Sequence, residues 1–288
     1  MEFVQGKIDF INSIDSSFKD QLLENNGILK KEYSKSINLL SGPYLNTEYI
    51  GFYLGNENSP INSKKLRKAI NYGFDRVKMM KYLRNNIGYP ANKGFVPLGL
   101  NKNINTKGFN FQPKIAKKLV EDYKKESGNS SIELELSTDA NYVDIIEFIQ
   151  RELLEIGIII KINIMPPSSL RQAKSNGKLE MFRASWIADY PDPENYLSLF
   201  YSKNKAPNGP NYTHFDNSNY DQKYIKTYME QSVIKRNKIY SELDKLIIEE
   251  AAIVPLYYDK IMRFSQKNVY GLETNPINQL NLKRVYKK

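Results

Sequence analysis

The stretch from Ile132 to Ile164 constrains the fold most. Ile132-Glu133-Leu134-Glu135-Leu136 alternates apolar and acidic residues, the period of a half-buried strand. Tyr142, Ile145, Ile146, Ile149, Leu153 and Ile156 then recur on one helical face. Gly157 closes that helix, and Ile158 to Ile164 supplies a second strand. Strand, crossover helix and strand make a β-α-β unit, with parallel strands and a right-handed crossover. The chain is therefore expected to be mixed α/β.

Flanking segments fill out that class. Lys64 to Leu83 reads as one amphipathic helix capped by Ser63, and Asp75-Arg76 as an ion pair on its surface. Pro113, at a first-turn position where a missing N–H costs nothing, opens a helix that stops near Gly128. A short helix around Ser169 to Ser175 and a strand from Leu179 to Ser185 come next. Further helices are expected over Glu194 to Phe200, Tyr220 to Met229 and Ile234 to Glu250, the last with Ile239, Leu243, Leu246 and Ile247 inward. Ile253 to Tyr258 and Ile261 to Ser265 read as a strand pair turned at Asp259-Lys260, and Asn278 to Val285 as a final strand. Two long irregular stretches, Ile87 to Gln112 and Ser202 to Asn219, point to two lobes.

Composition narrows the function. Of 288 residues, 41% are hydrophobic and 26% charged, as in globular domains, and the longest apolar run is far too short to span a membrane. The net charge of +10 favours anionic partners, but the cations come in short groups mixed with acids, as on solvated helix faces. No nucleic-acid-reading motif accompanies them. With no cysteine and one histidine, His214, thiolate chemistry and histidine metal clusters are excluded; no metal or cofactor is expected. Phosphate-loop, dinucleotide and nucleophile-elbow motifs are missing, and His214 lies in a polar loop, so no catalytic residue is assigned. The 21 tyrosines suit adaptable recognition, although many such residues merely straddle core and surface.

The run Phe182-Arg183-Ala184-Ser185-Trp186-Ile187-Ala188-Asp189-Tyr190-Pro191-Asp192-Pro193-Glu194-Asn195-Tyr196-Leu197 resembles the most characteristic segment of the oligopeptide- and dipeptide-binding extracellular solute-binding proteins of ABC importers. Gly6-Lys7-Ile8-Asp9, Leu66-Arg67-Lys68-Ala69-Ile70-Asn71 with Asp75-Arg76, Asn219-Tyr220-Asp221, Arg236-Asn237-Lys238-Ile239-Tyr240 and Ile253-Val254-Pro255-Leu256-Tyr257-Tyr258 resemble other landmarks of that family, in its order. The resemblance implies a periplasmic-binding-protein-like two-lobe fold, here partial, with the family's N-terminal segment missing. Residues 1–185 would be mainly second lobe, including the β-α-β unit 132–164; residues 186–288 would form the cleft segment and return to the first lobe.

It further implies a non-catalytic component that closes over a short peptide and delivers it to permease and ATPase subunits. Its place would be periplasmic or extracellular and membrane-anchored in the full-length protein, touching the membrane through the transporter or a lipid anchor. The first residues show no signal peptide. A nickel chelate, a sugar, or a peptide-sensing role on the same fold are the alternatives. By the same resemblance Asp189 meets the peptide α-amino group, Trp186 walls the cleft, Arg183 lies near the ligand, and Tyr257 and Tyr258 sit where ligand-facing aromatics do. The residues themselves leave other roles open: Asp189 as cap of the next turn, Arg183 in an internal salt bridge, Trp186 in the core. Just one of the two tyrosines can face inward on a strand. Asp192 and Pro193 are expected to be scaffold.

Overall fold

The computed structural model describes residues 2–14, 18–98, 100 and 104–288, so residues 99 and 101–103 of the irregular Ile87 to Gln112 stretch lie outside it. In chain order its strands are β1 Phe10–Ile11, β2 Ile37–Phe52, β3 Tyr89–Pro90, β4 Glu133–Thr138, β5 Ile159–Ile164, β6 Met181–Ile187, β7 Ile253–Gln266, β8 Val269–Tyr270 and β9 Tyr286–Lys287. The α-helices are α1 Lys19–Leu22, α2 Lys64–Tyr72, α3 Arg76–Leu83, α4 Pro113–Ser127, α5 Val143–Leu154, α6 Pro167–Ser175, α7 Glu194–Leu197, α8 Ser218–Met229 and α9 Val233–Glu249.

The β-α-β unit forms as expected: β4 and β5 pair in parallel, Glu133 opposite Ile159 through Thr138 opposite Ile164. Gly157 ends the crossover with φ +86°, a conformation glycine adopts without steric cost. The unit is one flank of a larger mixed sheet in the order β1-β7-β2-β6-β4-β5, with β3 also on β7. At its centre the 16-residue β2 runs antiparallel to both β6 and β7.

Alternation along β2 feeds two cores. Ile50 and Phe52 pack with Met181, Leu136 and the apolar faces of α2, α4 and α5. Tyr49 points the other way, with Phe182, Ala184 and side chains of α7, α8 and α9. Phe95 is the hub of that second core, its ring meeting those of Tyr49, Tyr196 and Phe200 edge-on at 5.2, 5.7 and 5.2 Å. Gly51 is required at the crossing, because a Cβ there would lie 2.3 Å from the Phe182 ring.

Four expectations need correction. The helix over Lys64 to Leu83 is two helices, because the Asp75 carboxylate accepts from the Val77 and Lys78 N–H groups at 2.9 and 3.1 Å and starts α3 afresh. Arg76 is not in a surface ion pair but 3% exposed. It donates to Pro255 O at 2.6 Å, Asn71 O at 2.8 Å and Asn71 Oδ1 at 3.1 Å, tying α3 to α2 and β7. Asp259-Lys260 makes no turn: β7 runs through it for 14 residues, its irregularities taken up by shifts in register against β2 near Pro43–Thr47 and Glu48–Tyr49. No strand covers Asn278 to Val285; the last strand is β9, paired with β8. Ser63 does cap α2 and Gly128, at φ +72°, does end α4.

Candidate functional site

The residues singled out by the motif gather around β6. One side of β6 pairs with β2 over its whole length. The other side pairs with β4 at Met181 and Phe182, and from Arg183 to Ile187 carries no strand among the described residues. Just outside β6, Ala188 N–H donates to Leu45 O and Tyr53 N–H to Glu180 O, both at 2.9 Å. Bonding to β2 therefore falls on even-numbered residues, by the alternation of an antiparallel ladder. The N–H and C=O groups of Ser185 and Ile187 are left facing the open edge. A cleft of about 270 Å³ lies along it, lined by Arg183, Ser185, Trp186, Arg171 and Lys174 of α6, and Tyr212.

Trp186 is half-buried and Asp189, three residues on, is exposed. One buried side chain fixes both. Asn195 Oδ1 accepts from Trp186 Nε1 at 2.8 Å and from the Asp189 N–H at 3.3 Å, and Asn195 Nδ2 donates to Asp189 Oδ2 at 3.5 Å. The turn into the following helix is held not by Asp189 but by Asp192, whose Oδ1 accepts from the Glu194 N–H at 2.9 Å; the N-cap itself is Pro193. The Asp189 carboxylate is left facing solvent beyond the end of the open edge.

Arg183 does two things. Its guanidinium meets Glu48 at 2.5 Å and Asp139 at 3.6 Å and lies 3.3 Å from the Tyr142 ring centroid, so the internal salt bridge forms. It also lines the cleft. Glu48, 2% exposed, is further held by Asn46 Nδ2 at 3.0 Å. Burial raises the Glu48 pKa, against the pull of Arg183 and Asn46. Arg183 is thus oriented by two carboxylates.

The two tyrosines point to opposite faces, as alternation requires. Tyr257, opposite Glu48, is fully buried, with its ring 5.1 Å from the Arg84 guanidinium and no partner for its hydroxyl among the described residues. Tyr258, opposite Thr47, donates its hydroxyl to Gly94 O at 2.6 Å. Neither lines the cleft beside β6. His214 lies away from these groups, Nε2 at 2.9 Å from Ala206 O, and burial lowers its pKa. Among the described residues, no cluster of three or more metal-ligating side chains occurs and no helix is long and apolar enough to cross a membrane.

Sequence reasoning missed Glu48, Asp139, Asn195, Lys174 and Tyr212. Asn195 lies inside the motif itself; Glu48 follows the polar pair Asn46-Thr47 and gives no sequence signal for the Arg183 bridge.

An α/β sheet with an open strand edge, a cleft lined by cations beside it and an exposed carboxylate beyond it offers the groups that recognition of an extended ligand needs. The chain belongs to the bacterial extracellular solute-binding proteins, family 5, whose middle-region model matches residues 1–208. It is 24% identical over 239 residues to di/tripeptide-binding protein 2 of Pseudomonas aeruginosa, covering 81% of this chain and 44% of that protein. It is 27% identical over 244 residues to the dipeptide-binding protein DppE of Bacillus subtilis, again covering 81% and 44%. The fold matches that of the Escherichia coli murein tripeptide binding protein MppA with a TM-score of 0.83 at 21% identity, over 99% of this chain and 55% of that one. The chain spans about half the length of the curated relatives it matches.

Proposed function

We propose that this chain carries the strand edge and amine-binding carboxylate of the peptide-binding component of an ABC importer. The observation that carries this reading is the open edge of β6 from Arg183 to Ile187, leading to the exposed Asp189. An extended peptide can add to such an edge, taking main-chain hydrogen bonds from Ser185 and Ile187 without regard to its side chains. Asp189 pairs with the peptide ammonium, a charge costly to enclose without a partner. Trp186 walls one side, and Arg183 stands near a ligand carboxylate. Tyr257 and Tyr258 act on the ligand indirectly, by holding Arg84 and the Gly94 loop beside the sheet. The names of the relatives, which speak of dipeptides and tripeptides, support the same class of solute.

In the whole protein this site works by clamshell closure, which requires better ligand contact in the closed state than in the open one. Residues 1–185 then belong mainly to the second lobe, and residues 186–288 form the cleft segment and return to the first. The protein works outside the cytoplasmic membrane, held there by its transporter or a lipid anchor, and hands peptide to the permease and ATPase subunits. It needs no cofactor and catalyses no reaction. The test is to purify the protein natively, denature it and identify what is released by mass spectrometry. Mixed short peptides with free amino termini are expected; a nickel chelate or a sugar in their place overturns the proposal.

A further inference from the structure

We infer that the turn joining α8 to α9 is a membrane-surface contact, an apolar tip flanked by cations that seats in an anionic bilayer; this goes beyond the peptide-binding reading and does not depend on it. The tip consists of Tyr228 and Met229 at the end of α8 and Val233 and Ile234 at the start of α9. Each is more than half exposed, from 59% at Val233 to 83% at Ile234. Neither helix needs these side chains for its core. α8 turns Tyr220, Tyr224 and Thr227 inward, and α9 buries nothing before Tyr240. Ile225, also exposed, extends the apolar face one turn back along α8.

Cations flank the tip on both helices. Lys226 precedes Met229 by three residues and Lys238 follows Ile234 by four, the spacings of side-chain neighbours on a helix, and Lys235 and Arg236 stand between. The ion pairs of these helices are Lys223 with Glu242 and Lys245 with Glu249. Lys226, Lys235, Arg236 and Lys238 have no carboxylate within 4.0 Å among the described residues. The acids nearby are engaged otherwise: Glu230 Oε1 accepts from the Ser232 N–H at 2.8 Å, and Glu194 takes the hydroxyls of Tyr190, Tyr224 and Tyr228. This pattern selects its occupant. An anionic bilayer accepts both parts at once, apolar side chains at the headgroup–acyl boundary and lysines among the phosphates. Tyrosine suits that boundary, with its apolar ring and polar end. A second copy of the chain would instead set lysine against lysine across a two-fold interface. Through Glu194, Tyr228 is joined to Tyr190, the neighbour of Asp189, so a seated tip also holds the end of the β6 edge beside the membrane.

The test is sedimentation of the 288-residue chain with sucrose-loaded vesicles, in the absence of peptide. Vesicles of equal parts phosphatidylglycerol and phosphatidylcholine should take up the chain at least about tenfold better than vesicles of phosphatidylcholine alone. Val233→Ser with Ile234→Ser, and separately Lys235→Gln with Lys238→Gln, should each lower that uptake by about tenfold or more, with circular dichroism unchanged. The chain has no cysteine, so Ile234→Cys can carry a single polarity-sensitive dye. Its emission should move to the blue on the mixed vesicles and remain unshifted on phosphatidylcholine. Uptake by the mixed vesicles that the serine pair leaves unchanged would assign binding to the net charge of +10 and overturn the proposal. No uptake at all would overturn it too, and a dimer that the serine pair dissolves would then mark the tip as a protein interface. Neither failure touches the peptide reading, because no arm of the test involves a peptide.

Discussion

Asn195 is where the site is held together, one amide serving the Trp186 indole and the Asp189 backbone at once. Asn195→Ala leaves two donors without their acceptor, so a loss of about 1–3 kcal/mol in stability is expected from urea unfolding, with peptide affinity falling as well. Asp189→Asn should separate the two effects. Its exposed carboxylate has one long internal contact, from Asn195 Nδ2 at 3.5 Å, which an amide oxygen can still accept, so stability should stay within about 0.5 kcal/mol, while peptide affinity drops by about 2–5 kcal/mol in calorimetry. Lys174 offers a pH test. Its folded pKa of about 8 lies below the ordinary 10.5, so between these values the unfolded chain binds more protons and stability rises with pH. Lys174→Met should flatten that slope and stabilise the protein at pH 7 by on the order of 1 kcal/mol. Asp189 and Trp186 were legible because they sit in one short run of chain. The partner of Arg183 was not, because Glu48 lies 135 residues away and pairing across β2 and β6 is set by sheet register.

Among the elements, those with a strict period were legible and those shaped by distant partners were not. The β-α-β unit, α4 and α9 follow their apolar spacing closely. β2 did not announce itself, since Gly42-Pro43 reads as a turn and Asn46, Thr47 and Glu48 as surface. All three are buried by neighbouring strands and loops. The supposed turn in β7 fails for a related reason: long pairing with β2 overrides the local preference of Asp259-Lys260. The break between α2 and α3 depends on a carboxylate cap, and Arg76 locks it to the sheet. Arg76→Met strands the acceptors on Pro255 and Asn71, and a loss of about 2–4 kcal/mol is expected in the urea midpoint analysis, against a near-silent change at exposed Lys81.

At the scale of the whole molecule, a sheet covered on both faces leaves recognition to its edge. β6 stops pairing with β4 after Phe182, and such an edge is a liability unless something adds to it. The net charge of +10 was legible from the sequence, but its meaning was not. Much of it is spread over helix faces, while Arg171, Lys174 and Arg183 converge on one cleft because α6 packs beside β6. The central claim is that Asp189 and this edge together capture the free amino end of an extended peptide. Calorimetric titration of the protein with tetra-alanine and with N-acetyl tetra-alanine tests it most directly. The free-amine peptide should bind at least about 30-fold more tightly, the loss expected when a charge pair of 2 kcal/mol or more is removed. Equal affinity for the two peptides would contradict the account.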